Sequence, residues 1–364
     1  VKTQASFDGN AIVYCQGAYN TPNGKTAHGL VRISHRYRLL SVVDSRYSGR
    51  DAGEVLDGIK NGIPLVSSLD KALDQARSDN VEATHFVIGL APDGGRLPED
   101  VRDEVVQALG KGLNIDCGLH DFLSDDPLLS GLAAKKGLTI RDIRRSPDSN
   151  SLHFFSGKIE EVTAFKIAVL GTDSAVGKRT TAWKIVQGFN RTSVKAEMIG
   201  TGQTAWMQGA TYCLILDSLI NDFVSGEIEH TVWTAWRETN AEVIVIEGQG
   251  SLMNPAYPGG FEIIAAGRPD AVVLQHAPAR KEYDNFPGYR IQPLTKQIEA
   301  IELLCGRPVV AVTVNHENLS LDEVPLICDA IQMAVGVPAF DVLLEGPDSL
   351  VEALASFREK GVHP

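Results

Sequence analysis

The stretch Phe165-Lys166-Ile167-Ala168-Val169-Leu170-Gly171, continued by Thr172-Asp173-Ser174-Ala175-Val176-Gly177-Lys178-Arg179-Thr180-Thr181, decides the fold. Its first seven residues form an apolar run that reads as a buried strand. A glycine-bounded loop follows, then Gly177-Lys178 and a helical pattern. Such a loop turns backbone N–H groups toward a phosphate at a helix N-terminus, and the lysine ammonium adds a point charge. Glycine is required where the chain turns tightly and approaches the anion. Gly171, Thr172, Ser174, Ala175, Val176, Gly177, Lys178, Arg179 and Thr180 are therefore candidate cofactor-binding residues. The chain from about Phe165 onward is expected to be a phosphate-binding P-loop domain of the α/β class.

Two departures from the usual loop bear on chemistry. Five residues, against the usual four, separate Gly171 from Gly177. Arg179 occupies the position after the lysine, where a magnesium-coordinating Ser or Thr is the rule. Thr180 and Thr181 follow but face different directions on a helix, about 100° apart per residue. A guanidinium cannot ligate Mg²⁺, yet it can hold phosphate oxygens bidentately. The loop is thus suited to binding phosphates without ordinary ATP hydrolysis.

Working outward, Val243-Ile244-Val245-Ile246-Glu247 delivers a carboxylate to the end of another apolar run, followed by Gly248-Gln249-Gly250-Ser251. Open α/β sheets bind ligands at the carboxyl ends of their strands, so Glu247 can hold a metal, orient a water or act as a general base. Three further segments stand where a site is completed: Gly200 to Thr204, with Thr201 and Gln203; Asn254 to Gly260, with Tyr257; and Gln275 to Asp284, with Arg280 and Lys281. A cation pair past a strand end suits a carboxylate or phosphate. Asn315, at the end of the strand Val309 to Val314, is a candidate for contacting a base. The tandem Trp233 and Trp236 lie in a helical stretch and read as core packing.

The first half also alternates strands and helices, with strands at Ala11 to Cys15, Leu39 to Val43 and Thr84 to Leu90, and a helix at Pro98 to Leu109. This alternation implies βαβ units and a mainly parallel sheet. Asp44, ending the second strand, stands where a dinucleotide fold binds a ribose. No GxGxxG follows the first strand, however, and a cap or loop role fits as well. A polar stretch between Arg144 and Glu161 reads as a connection. The expected organisation is a Rossmann-like α/β domain over 1–150 and a P-loop α/β domain over 160–364.

Composition narrows the partners. Lys and Arg number 34 against 46 Asp and Glu, a net charge of −12, which disfavours nucleic acid and anionic membranes. No apolar run approaches the ~20 residues needed to cross a bilayer, and the opening from Val1 to Asn10 has no signal-peptide pattern. Five scattered cysteines with no CxxC pair read as buried thiols in a reducing compartment. The expectation is a cytoplasmic protein acting on a small molecule, with no metal of its own and, as compact metabolic enzymes commonly are, a homo-oligomer.

The segments GTDSAVGK, EGQGS and VTVNHEN resemble the dethiobiotin synthetase and cobyrinic acid amidase group of P-loop proteins. Together, GTDSAVGKRTT, GTGQT, EGQGSLMNPAYPGG and QHAPARK resemble, over nearly the whole chain, a two-domain family that includes the D-glutamate N-acetyltransferases. The resemblance implies acetyl-CoA as co-substrate and an acidic D-amino acid as acceptor. For that chemistry Glu247 is the candidate base with Asp173 in reserve, Arg280 and Lys281 are candidates for pairing the acceptor's carboxylates, and Thr201, Gln203 and Tyr257 for lining its site. The pyrophosphate and 3′-phosphate of the coenzyme suit Lys178 and Arg179. The Arg-x-x-Gly-x-Gly/Ala loop of the common acetyltransferase fold is not found in a strand-to-helix setting. Acetyl transfer would therefore run on an unrelated scaffold, as convergence allows. Two alternatives stay open: an ATP- and Mg²⁺-dependent enzyme that activates a carboxylate, and a non-catalytic nucleotide-binding regulator.

Overall fold

Strand–helix alternation resolves into two all-parallel sheets in the computed structural model, which describes residues 7–361. The opening residues read above for a signal peptide lie, up to Ser6, outside the described residues. Contacts divide the chain into two units. One runs up to Ser146 and takes in Gln203–Ala210; the other comprises Pro147–Gly202 and the chain from Thr211 onward.

The first unit contains β1 (Gly9–Tyr14), β2 (Tyr37–Val43), β3 (Leu65–Val66), β4 (His85–Ile88), β5 (Asn114–Cys117) and β6 (Ile140–Asp142), in the order β3-β2-β1-β4-β5-β6. This is the Rossmann strand order. Both faces of a parallel sheet are covered, so its central strands read as continuous apolar runs: Ile12, Val13, Phe86 and Val87 are fully buried. Three strands escape a reading of hydrophobicity. β3 has only two residues, while β5 and β6 carry Asp116, Arg141 and Asp142. Asp116 is tolerated at zero exposure because the Tyr37 hydroxyl donates to it at 2.6 Å and Arg141 at 2.5 and 2.7 Å, as a buried charge requires.

Asp44, also fully buried, caps the turn Ser45–Tyr47. Its oxygens accept from the backbone N–H of Tyr19 and of Arg46 (both 3.0 Å) and from the Arg46 guanidinium (2.7 Å). The carboxylate is used internally, which removes the ribose-binding option.

The second unit contains β7 (Phe165–Gly171), β8 (Ala196–Gly200), β9 (Tyr212–Cys213), β10 (Val243–Glu247), β11 (Ala271–His276), β12 (Val309–Val314) and β13 (Ala339–Phe340). Their order is β13-β12-β11-β7-β10-β8-β9. β7 lies at the centre between β10 and β11, with Val169 opposite Glu247 and Gly171 opposite Gln275. β13 stops at Phe340 because Asp341 turns the chain by accepting from the N–H groups of Leu343 and Leu344. Trp233 and Trp236 lie on the helix Asn221–Thr239 and pack partly buried against the core. Among the described residues, no helix is long and apolar enough to cross a membrane.

Candidate functional site

β7, β10, β11 and β12 end side by side, so Gly171, Glu247, His276 and Val314 bring four loops to one sheet edge. Successive connections run to opposite sides of β7, which is where open α/β sheets form a crevice.

The loop after β7 is built as the sequence suggests. Gly177 stands at φ 111° immediately before the helix Lys178–Arg191, a conformation that favours glycine. Ala175 is also left-handed, at φ 51°. A β-carbon on Gly171 would lie 2.9 Å from the Lys178 ammonium, and one on Gly248 would lie 2.3 Å from the Val169 carbonyl oxygen. Glycine is therefore what lets the two loops close on each other. Lys178 is buried and donates to the carbonyls of Asp173 (2.7 Å) and Gly250 (2.8 Å), which ties the loops after β7 and β10 together. The 14-residue helix adds its N-terminal N–H groups and dipole at the same spot. Glycine cradle, lysine, arginine and helix terminus form a donor set that fits a phosphorylated group.

Glu247 is 3% exposed. Burial pushes its carboxyl above the usual carboxylate range, opposed by the Arg179 guanidinium, by the Thr201 backbone N–H and by Lys178. Arg179 lies 4.0 Å away, and the Thr201 N–H donates at 3.0 Å. The Thr201 hydroxyl donates to the Glu247 carbonyl at 3.0 Å and accepts from Gln249 at 2.9 Å. Thr201 therefore holds Glu247 in place.

Other predicted residues take different places. Asp173 is fully buried, and its oxygens accept from Ser174 N–H (2.7 Å), Asn254 (2.7 Å), Asp284 N–H (2.8 Å) and Arg280 (2.8 Å). So engaged, it is poorly placed to take a proton. Arg280 spends its guanidinium on Asp173 and, through two further contacts of 2.8 and 2.9 Å, on Glu317. The protein's own carboxylates thus engage the guanidinium on both edges. Lys281 is exposed, donating to the Pro278 carbonyl at 3.2 Å, and Tyr257 is exposed as well. Asn315 donates to the Val176 carbonyl at 3.0 Å, supporting the phosphate loop from outside. Gln203 opens the helix Gln203–Gln208, which belongs to the first unit. The Thr181 hydroxyl donates to Gln275, which also accepts from Thr313 at 2.7 Å.

Sequence reading missed Asn254 and Glu317 as partners of Asp173 and Arg280, although both follow strand ends. Thr172 shares a 2.9 Å hydrogen bond with His276, whose pKa burial lowers to about 4, with Lys281 and Arg280 adding to the effect. The imidazole is neutral near pH 7 and serves the loop's structure. Among the described residues no His, Cys, Asp or Glu grouping of three or more could hold a metal ion.

Comparison with known proteins agrees with this architecture. Residues 153–351 match a domain of unknown function, DUF1611_C, described as a P-loop domain. Residues 45–146 match the companion DUF1611_N, described as Rossmann-like. A D-glutamate N-acetyltransferase from Pseudoalteromonas sp is 31% identical, over 75% of this chain and 81% of that protein. One of the same name from Tritonibacter scottomollicae is 29% identical, over 79% and 85%. The crystal structure of a DUF1611 family protein from Anabaena variabilis superposes with a TM-score of 0.86 at 28% identity, covering 95% of this chain and 99% of that one. The chain belongs to the DUF1611 family, a Rossmann-like domain followed by a P-loop domain, and groups with its D-glutamate N-acetyltransferases.

Proposed function

We propose that this protein transfers an acetyl group from acetyl-CoA to the amine of an acidic D-amino acid, D-glutamate being the acceptor its relatives' names suggest. One observation carries the reading. A phosphate cradle whose lysine is followed by Arg179 instead of a hydroxyl stands beside Glu247, a buried carboxylate only 4.0 Å from that arginine. The arrangement offers phosphate binding and a proton acceptor together, and puts no metal-ligating hydroxyl after the lysine.

In this reading Lys178, Arg179 and the loop N–H groups hold the coenzyme's phosphates. Glu247 accepts the proton that the acceptor's ammonium group must lose, and burial raises its basicity toward the working pH. The freed amine attacks the thioester carbonyl carbon. A C–N bond forms, the C–S bond breaks with its electron pair on sulfur, and the second proton that the nitrogen sheds on becoming an amide passes to that sulfur, so the coenzyme leaves as the thiol. Lys281, unlike Arg280, has an exposed ammonium suited to an acceptor carboxylate, and Thr201 fixes the base.

Thiol release with acetyl-CoA, measured with D-glutamate, L-glutamate or no amino acid, with and without Mg²⁺, tests the proposal. Release confined to D-glutamate and indifferent to Mg²⁺ is the expected result. No release in any arm, with Mg²⁺-dependent ADP formation from ATP instead, overturns it in favour of a carboxylate-activating enzyme.

A further inference from the structure

Asp173 is an anion inside a loop suited to hold anions, and it is fully buried. Of its four donors, Ser174 N–H, Asn254, Asp284 N–H and Arg280, one alone is a full cation. The same Arg280 nitrogen that reaches Asp173 also donates to the Ser174 carbonyl at 2.8 Å, while the opposite edge of the guanidinium clasps Glu317. One side chain thus joins the phosphate loop to the loops after β11 and β12. Between these anchors Ala175 keeps its positive φ, a conformation an L residue holds only where its surroundings over-determine it.

We propose that Arg280 is a positioning residue that neutralises and orients Asp173, so that the phosphate loop meets its ligand already shaped; the choice of ligand rests on the coenzyme reading above. Without Arg280 the buried carboxylate would keep its three neutral donors but lose its ion-pair partner, and its charge would repel the incoming phosphates across a medium of low dielectric. The loss then falls on coenzyme binding and spares the acceptor.

The test compares wild type with R280K, R280M, D173N and D173N/R280M, each checked for native near-UV circular dichroism. Coenzyme A affinity is measured by calorimetry, and KM is measured separately for acetyl-CoA and acceptor. R280M is expected to weaken coenzyme A by about tenfold or more, raise the acetyl-CoA KM in parallel and leave the acceptor KM within about twofold. R280K, which keeps the charge but loses the fork, should fall between. D173N/R280M should regain most of the loss, since the buried anion is gone and Glu317, 31% exposed, is left to water. A raised acceptor KM with unchanged coenzyme affinity overturns the proposal, as does a double variant no better than R280M. Hydrogen exchange of the segment 171–178 without ligand keeps the two ideas separable. Faster exchange in R280M supports the positioning role even if wild type fails to bind coenzyme A, and unchanged exchange overturns it whatever the loop binds.

Discussion

Asp44 and Glu247 invite comparison. Each is a buried carboxylate at the carboxyl end of a parallel strand, one in each sheet, and from sequence each is a fair candidate for chemistry. Asp44 accepts from two backbone N–H groups and a guanidinium at 2.7 Å. Glu247 accepts from the Thr201 N–H at 3.0 Å, with the Thr201 side chain adding to that hold, and faces the Arg179 guanidinium at 4.0 Å. The position of an acid in an α/β sheet nominates it; the set of donors around it separates a structural acid from one able to exchange a proton.

The comparison can be broken most directly at Glu247. Glu247→Gln should lower kcat by about 10²- to 10⁴-fold with little change in coenzyme affinity, and a normal turnover number would remove Glu247 as base. Lys178→Ala should come next. It is expected to weaken coenzyme A by about tenfold or more and, because Lys178 ties the loops after β7 and β10 together, to lower the ligand-free stability by only about 1–2 kcal/mol. A large loss of stability instead would make the loop a packing element.

A finer test uses the pH profile. Because Glu247 titrates above the ordinary range and the base must be ionised, kcat/KM should fall as pH drops through that raised value. Arg179 favours the ionised form, so Arg179→Met should move the acid limb to higher pH. A limb that stays in place would uncouple the pair. The smallest effect on catalysis belongs to Asp44. Asp44→Asn should lower stability by about 2 kcal/mol in denaturant titration, and turnover per folded molecule should not change. Lost turnover in folded protein would instead give Asp44 a part in catalysis.

Much of the second unit is legible in the sequence. The bounds of β7, β10 and β12 follow directly from apolar runs ended by Gly171, Glu247 and Val314, since strands covered on both faces need no alternation. The phosphate loop is legible because its glycines answer to backbone geometry. β5 and β6 were hidden because their charges are satisfied by residues distant in the chain: Arg141 pairs with Asp116, and the Tyr37 hydroxyl donates to it. The real place of Arg280 was hidden for the same reason. A cation past a strand end looks available until its carboxylate partners, here Asp173 and Glu317, are located in space.

The membership of Gln203–Ala210 in the first unit has a consequence for synthesis. Thr204 shares a 2.9 Å hydrogen bond with Thr26, Gln208 donates to the carbonyls of Gly29 and Ile33, and Met207 is fully buried in the first core. A polypeptide released after Ser146 would leave those groups facing water. On the ribosome the Rossmann-like unit therefore stays unfinished until Ala210 has emerged, after β7 and β8 have already been made. The two units are thus interleaved along the sequence, so a nascent chain stalled before Ala210 holds an incomplete first core and exposes its apolar surface for longer than a simple tandem would.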